Sequence, residues 1–227
     1  MRFAGRRAVI TPAMAVRMLE LIEQVEDDDA ARMLAITGAG AAFCTGFDAG
    51  VDPRLVESLA VLSKPTVAII NGDAFDEGLE LAMAADIRVA LESARFAITQ
   101  LKREAMPHFG ATQRLPRLVG AGTALRMILT GAALGADEAM RVGLVTYLAA
   151  SRRELAQVSG RVAEAILSRA PLAARLVKDA VRKGYDMTLE QGIRLEEDLY
   201  ALLQTTADRA EGVRAFLEKR KPLFRGS

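Results

Sequence analysis

The sequence is poor in the residues on which several common catalytic systems depend. Its 227 residues include one cysteine, one histidine and no tryptophan. Because Cys44 is alone, it cannot form an internal disulfide, and a reducing cytoplasm fits this usage. We expect Cys44, which lies among apolar residues, to be a small core residue. His108 is the one possible base for a nucleophilic serine or cysteine, and it has no evident partner.

Long apolar runs and an excess of one charge are also missing. No run reaches the ~18–20 apolar residues that a membrane-spanning helix needs, and the first residues lack the apolar segment of a signal peptide. The 30 basic residues balance 29 acidic ones, whereas nucleic-acid binding needs a basic face. We therefore expect a cytoplasmic α/β domain whose partners include neither nucleic acid nor a membrane.

The glycine-rich turn at 38–43 does not complete a nucleotide-binding motif. In "GAGAAF", Phe43 occupies the position of the third glycine of G-x-G-x-x-G, and no helix clearly begins there. The sequence contains no P-loop, no G-x-S-x-G elbow and no closely spaced set of metal ligands. We expect no metal site.

Apolar strands alternate with helices over roughly the first two thirds of the chain. Thr11 and Pro12 have the N-cap and first-turn chemistry that begins a helix. The apolar patterns predict strands at 32–37, 65–70, 86–91, 95–99 and 143–148, and helices at 53–63 and 122–142.

The last third of the chain has a helical pattern throughout. It begins after Ser151 and is interrupted only at Pro171 and Gly184. We therefore predict a layered α/β core over residues 1–150 and a C-terminal helical region over residues 151–227.

One junction between a strand and a helix is unusually acidic. In "INGDAFDEGLELAMAAD", residues 70–86, an apolar strand runs into a turn and then a short apolar helix. Backbone N–H groups at such a junction suit an anion or an oxyanion. The helix dipole alone explains Asp76 and Glu77 near the helix start. Glu80 lies between leucines on an apolar helix and is the better candidate for a reacting group.

Four motifs, taken in order, resemble the crotonase family of enoyl-CoA hydratases and isomerases. They are "TGAGAAFCTGFD", "INGDAFDEGLELAMAADIRVA", "GATQRLPRLVG" with "LTGAALGADEAMRVGLV", and "EGVRAFLEKRKPLF". The resemblance extends over residues 8–224. It implies an α/β, crotonase-like spiral of ββα units with C-terminal helices that assemble a homotrimer or hexamer. It also implies an acyl-CoA thioester substrate and no separate cofactor, because CoA is carried as part of the substrate.

The resemblance assigns roles to individual residues. The backbone N–H groups of Phe47 and Glu77 correspond to the family's oxyanion hole, which stabilises the enolate of the thioester. Glu80 corresponds to a catalytic glutamate of the hydratases. Lys221 and Phe224 correspond to residues that help to hold the CoA nucleotide, often from a neighbouring subunit.

Two departures from the family pattern concern the site. The family's glycine triplet is replaced by Asp76-Glu77-Gly78. A carboxylate about 6 Å from a developing enolate would oppose it by ~3 kcal/mol at an effective dielectric constant of 20. The acidic side chains are therefore expected to point away, to be neutralised, or to serve an unusual substrate.

The second departure is at the position of the hydratases' other catalytic glutamate. Seven residues before Pro107 that position holds Gln100, which can orient a water molecule but cannot donate a proton through a carboxyl group. Glu104, four residues further on, would supply the missing acid if the segment is helical.

The leading hypothesis is the addition of water to a 2-enoyl-CoA, or the reverse dehydration. An isomerase or decarboxylase of the same family is the first alternative, since proton transfer between two carbons needs one carboxylate. A weakly catalytic acyl-CoA-binding scaffold subunit is the second, and the altered glycine triplet favours it. Loss of enoyl absorbance with crotonyl-CoA would distinguish the first hypothesis from the others.

Overall fold

The computed structural model describes residues 8–226 and the backbone of Arg2 and Phe3. The described strands are β1 (Arg2–Phe3), β2 (Leu34–Gly38), β3 (Thr66–Ile70), β4 (Ala74–Phe75), β5 (Ile87–Leu91), β6 (Arg95–Ala97), β7 (Leu134–Gly135) and β8 (Tyr147–Ala149). The described α-helices are α1 (Pro12–Asp27), α2 (Arg54–Val61), α3 (Glu77–Ala84), α4 (Ala111–Val119), α5 (Ala121–Thr130), α6 (Ala136–Arg141), α7 (Arg152–Leu167), α8 (Pro171–Gly184), α9 (Leu189–Gln204) and α10 (Ala207–Leu217). A 3₁₀ helix at Gln100–Arg103 precedes α4.

Two sheets form the layered core. The larger sheet has the order β1-β2-β3-β5-β8, and all its neighbouring strands are parallel. In the smaller sheet β4 pairs in parallel with β6, which pairs antiparallel with β7. Parallel neighbours require crossover connections, which the helices provide. The predicted α/β class is confirmed.

Local sequence explains where the first helix begins and which face it buries. The Thr11 hydroxyl accepts a hydrogen bond from the Met14 N–H, and Pro12 fills the first helical position, as predicted. Ala15, Met18 and Ile22 recur on one face and are buried in the core.

Two predicted elements near the middle of the chain differ from the structure. The predicted helix at 122–142 is divided into α5, β7 and α6, and Gly131, with a φ of 62°, ends α5. The predicted strand at 143–148 is reduced to β8, because the Leu144 and Val145 N–H groups both bond to the Ala139 carbonyl. Leu144 and Val145 therefore close the C-terminal end of α6, although the apolar pattern predicted that they belong to a strand.

The C-terminal helices differ in how they meet the core. Helix α7 packs on β5 and β8 and buries Leu155 and Val158. Helices α8 and α9 pack on each other, and within the described chain neither has a buried residue.

The division of the chain into a core and a helical region at residue 150 stays a prediction. In the described part of the chain, no helix combines the length and apolar character needed to cross a bilayer.

Ion pairs tie α8 to the core at Asp86. Its carboxylate accepts bonds from Lys178 and Arg182 of α8, each at 2.8 Å. The same group accepts the Thr66 N–H at the beginning of β3, at 2.7 Å. The Lys178 side chain is 8% exposed, so little water screens this tie.

We expect Asp86→Asn to lower the free energy of unfolding by about 2–3 kcal/mol, because the largely shielded Lys178 ammonium group loses a charged hydrogen-bond partner. Asp179→Asn is the matched control, since Asp179 pairs with Lys183 on the exposed surface of the same helix. There the expected loss is below about 0.5 kcal/mol. Urea unfolding measures the free energy of unfolding of both variants. Equal losses would mean that the Asp86 contacts stabilise the fold no more than a surface ion pair does.

Candidate active site

The two turns that the sequence singled out lie side by side. A β-bridge joins Cys44 to Ala74, and the Phe75 N–H donates to the Cys44 carbonyl at 3.0 Å. A Cβ atom on Gly78 would lie 2.1 Å from the same carbonyl oxygen. Only glycine at position 78 therefore lets α3 begin against the first turn, which explains why this member of the triplet is kept.

Glu80 is buried at the point where α3 meets the N-terminus of α4. Its side chain is fully buried, and its Oε1 accepts the Phe109 and Ala111 N–H groups, each at 2.9 Å. Helix α4 has no capping side chain of its own at Gly110. The Glu80 carboxylate therefore takes the place of a cap and satisfies a donor at that helix end.

The environment of Glu80 acts on its pKa in both directions. Burial raises the pKa of the carboxyl group, and the two backbone N–H donors lower it. The negative charge of Glu77 raises this pKa further, whereas nearby His108 lowers it. The net effect is a raised pKa, which suits a carboxylate that accepts and returns a proton near neutral pH.

Gln100 lies beside Glu80, at the start of the 3₁₀ helix. It is 1% exposed, and its Nε2 lies 3.4 Å from Glu80 Oε2 and 3.5 Å from Glu77 Oε1. Its Oε1 is buried and has no hydrogen-bond partner among the described residues. One amide thus joins two carboxylates and keeps a free acceptor.

Asp76 and Glu77 point in different directions. Asp76 is buried, accepts the Thr99 hydroxyl and N–H, and pairs with Arg103 at 3.1 Å. Within the described chain its carboxylate bonds to neither Glu80 nor Gln100, and the Arg103 guanidinium balances its charge. Its φ of 49° is uncommon for a residue other than glycine and costs roughly 1–3 kcal/mol. The Thr99 and Arg103 contacts offset this strain.

Aromatic packing connects the first turn to the Glu80 environment. The rings of Phe47 and Phe109 meet edge to face, with centroids 5.2 Å apart. Phe109 is also one of the residues whose N–H holds Glu80. The position of the Phe47 backbone is therefore coupled to the position of the carboxylate.

A cavity of about 560 Å³ opens beside Phe109. Its walls combine the beginning of α2 with α4, and they include Val56, Glu57, His108 and Arg114. Both apolar and charged groups line this space.

Cys44 and His108 do not form a nucleophilic pair. Burial raises the pKa of the Cys44 thiol to about 11, so the thiol stays protonated near neutral pH. His108 is exposed and stacks on Phe109, with ring centroids 4.1 Å apart. The expectation that Cys44 is a core residue is confirmed.

Other candidate residues lie apart from this group. Glu104 follows the 3₁₀ helix in a left-handed conformation with a φ of 57° and is exposed, so the segment does not bring it to Glu80. Lys221 is exposed, and half-buried Phe224 packs against Gly212 of α10. The C-terminal tail folds back on α10, where Asp208 accepts the Arg225 N–H.

The sequence reasoning missed the two backbone donors that hold Glu80. The sequence analysis predicts no role for Phe109 or Ala111, because both act here through their backbone N–H groups. A usable indication existed, because α4 begins after Gly110 without a capping side chain. Such a helix end needs an acceptor from elsewhere in the fold.

Comparison with known proteins agrees with the motifs. The Enoyl-CoA hydratase/isomerase family model matches residues 6–227. The chain is 37% identical to (E)-benzylidenesuccinyl-CoA hydratase of Thauera aromatica, over 96% of this chain and 91% of that protein. It is 36% identical to crotonyl-CoA hydratase of Syntrophomonas wolfei, over 90% and 85% of the two chains.

Structural similarity leads to the same family. The crystal structure of an enoyl-CoA hydratase from Bacillus anthracis superposes with a TM-score of 0.93 at 35% identity. The match covers 98% of this chain and 92% of that one. The chain therefore belongs to the enoyl-CoA hydratase/isomerase family, the crotonase family that its four motifs resemble.

Proposed function

We propose that the protein adds water to the double bond of a 2-enoyl-CoA thioester, or removes it in the reverse direction. The observation that carries this proposal is the buried Glu80 carboxylate, held by two backbone N–H groups with the Gln100 amide beside it. Relatives named as hydratases of benzylidenesuccinyl-CoA and crotonyl-CoA support the same reaction.

The oxyanion hole consists of the Phe47 and Glu77 backbone N–H groups. Neither group donates to another described residue, so both are available to a thioester oxygen. The bridge between Cys44 and Ala74 holds the two turns that carry them next to each other. Two such donors stabilise the charge that develops on the oxygen as the enolate forms.

The water molecule lies between Glu80 and Gln100. Glu80 Oε2 accepts one of its protons, and the unpartnered Gln100 Oε1 accepts a bond from the other. Glu80 Oε1 stays fixed by its two backbone donors, so the carboxylate moves little as it takes up the proton.

This arrangement favours hydration over the alternative reactions. Isomerisation needs one carboxylate, and decarboxylation needs mainly the oxyanion hole. Neither reaction requires a buried amide oxygen that is free to hold water, as Gln100 provides.

The acyl group extends into the cavity beside Phe109. The reaction needs no cofactor besides the CoA of the substrate, and the protein acts in the cytoplasm.

The general-base role of Glu80 is tested by Glu80→Gln, which keeps the two backbone hydrogen bonds but ends proton transfer. We expect crotonyl-CoA hydration to fall by at least ~100-fold, because general base catalysis contributes about that much. Glu104→Gln is the matched control, since Glu104 is exposed, and its rate should stay within about threefold of wild type. Near-normal turnover of Glu80→Gln would contradict the proposed role.

CoA is held by Lys221 and Phe224. Lys221 is exposed and its ammonium group suits a phosphate, while Phe224 offers a ring to the nucleotide. Because the tail folds on α10, these residues serve the site of a neighbouring subunit in the assembly proposed below.

Lys221→Ala is expected to weaken CoA binding by about 1–2 kcal/mol, since a partly exposed phosphate loses one charged donor. Lys219→Asn is the control, because Lys219 has a φ of 53° that asparagine tolerates while the same charge is removed. Calorimetry measures the affinity of both variants for CoA. Equal affinities would mean that Lys221 belongs to a solvated tail and does not hold CoA.

The protein forms a homotrimer or hexamer through its C-terminal helices. Exposed apolar side chains on α8, α9 and α10 cover more surface than one soluble chain usually leaves to water. They include Val177, Val181, Leu189, Ile193, Tyr200, Leu202, Phe216 and Leu217.

Light scattering at micromolar concentration should give three or six times the mass of one chain. Tyr200→Lys, at a residue that is 63% exposed on α9, should reduce this mass because it places a charge in the apolar face. Glu23→Lys adds a lysine at an exposed position of α1, outside the C-terminal helices, and should leave the mass unchanged. A monomeric wild-type protein would contradict the proposal.

A further inference from the structure

The Gln100 amide lies beside two carboxylates that come from the first turn of α3. Its Nε2 lies 3.4 Å from Glu80 Oε2 and 3.5 Å from Glu77 Oε1. Glu77 and Glu80 are three residues apart on this helix, so their side chains are neighbours on its surface. Gln100 is 1% exposed, so little water competes for its amide. Both carboxylates therefore act on the same amide group.

These two contacts leave the amide one favourable orientation. An ionised carboxylate only accepts hydrogen bonds, whereas the amide nitrogen of glutamine only donates them. In the reversed orientation, the amide oxygen of Gln100 would face two negatively charged oxygen atoms, which repel it. The carboxylates thus keep Oε1 as the free acceptor, and it is buried without a hydrogen-bond partner among the described residues.

Glu80 alone would not hold this orientation throughout the proposed reaction. Glu80 takes up a proton from water, and its charge is lost at that moment. A protonated carboxyl group can donate to an amide oxygen, so it no longer excludes the reversed orientation. Glu77 receives no proton in that step, and its carboxylate still faces the Gln100 nitrogen. The second carboxylate therefore matters most when the first one is neutral.

We propose that Glu77 is a positioning residue, whose carboxylate holds the Gln100 amide so that Oε1 stays the acceptor for the reacting water. This inference rests on the hydration reaction proposed above. It connects two departures from the family pattern, because the carboxylate at position 77 orients the amide at position 100. Glu77 itself neither gives nor takes a proton in this role.

The charge of Glu77 also has an effect of the opposite sign. A carboxylate near the oxyanion hole repels the enolate, and this repulsion slows the reaction. The repulsion does not depend on which side chain occupies position 100, whereas the orientation of the amide does. Variants of Glu77 with and without an amide at position 100 therefore separate the two effects.

Glu77→Gln is the first variant, because it keeps the backbone N–H and the size of the side chain but accepts either orientation of the Gln100 amide. We expect kcat for crotonyl-CoA hydration to fall about tenfold with KM within about threefold, as for one hydrogen bond to the water. Glu104→Gln is the matched control, since it removes an exposed carboxylate four residues from Gln100. Its kcat should stay within about threefold of wild type.

Gln100→Met provides the second background, because methionine has a similar length but no amide to orient. In this background we expect Glu77→Gln to leave kcat unchanged or to raise it. An equal fall in both backgrounds would mean that the two residues act independently, and the inference would fail. A rise of kcat in Glu77→Gln alone would also overturn it, because repulsion of the enolate would then be the larger effect.

The pH dependence tests whether Glu77 is charged. The pKa of Glu80 is raised mainly by burial and further by the charge of Glu77, and it is lowered by His108 and by the Phe109 and Ala111 N–H groups. Because Glu80 must be ionised to act as the base, kcat/KM falls as the pH drops through this raised pKa. Removal of the Glu77 charge should move that acid limb to lower pH. An acid limb that stays in place in Glu77→Gln would contradict an ionised Glu77.

NMR of the side-chain amides separates this inference from the proposed hydration. Selective isotope labelling of glutamine reports how fast the Gln100 amide protons exchange with water, and Gln100→Met identifies their signals. We expect exchange at least about tenfold faster in Glu77→Gln than in wild type, because one of the two acceptors has lost its charge. Equal exchange in both proteins would reject the role of Glu77 alone. Faster exchange in Glu77→Gln, in a protein that does not hydrate crotonyl-CoA, would reject the proposed function alone.

Discussion

The arrangement of the site depends on one interaction, in which a buried carboxylate accepts two backbone N–H groups at the beginning of α4. Glu80 would be costly to bury without these donors, because an isolated carboxylate loses its hydration. With these donors, the carboxylate of Glu80 on α3 is held against the N-terminus of α4. Its other oxygen, Oε2, lies beside the Gln100 amide. Phe109 extends the same connection to Phe47 through ring packing.

The altered glycine triplet shows how one fold can accept acidic residues beside the candidate site. Gly78 must remain because any side chain would meet the Cys44 carbonyl. Asp76 is accepted because Thr99 and Arg103 satisfy its charge and hold its unusual backbone conformation. Glu77 is accepted in space, and its carboxylate lies beside the Gln100 amide. The three positions therefore have different physical constraints although they are adjacent in the chain.

Much of the fold and part of the site could be predicted from the sequence. Apolar patterns placed β3 and α2, and the start signal at Thr11 and Pro12 placed the beginning of α1. The breaks at Pro171 and Gly184 coincide with the two ends of α8. Motif spacing placed Glu80 and Gln100, which the structure brings within 3.4 Å. The directions of Asp76 and Glu77 could not be predicted, because they depend on residues more than twenty positions away. Asp76 contacts Thr99 and Arg103, and Glu77 contacts Gln100. Glu104 illustrates the same limit, since a single left-handed residue ends the 3₁₀ helix and leaves the side chain in solvent.

The way in which α8 is attached has a consequence for the order of folding and assembly. Charged groups make the tie, with Asp86 meeting Lys178 and Arg182, and α8 buries no residue within the described chain. All the groups of this tie belong to one chain, so the contact needs no partner chain to complete it. A newly made chain can therefore finish its core and fix the direction of its C-terminal helices before it meets another copy. In the assembly proposed above, subunits that are already folded would join as rigid bodies, and the rate of joining would depend on protein concentration.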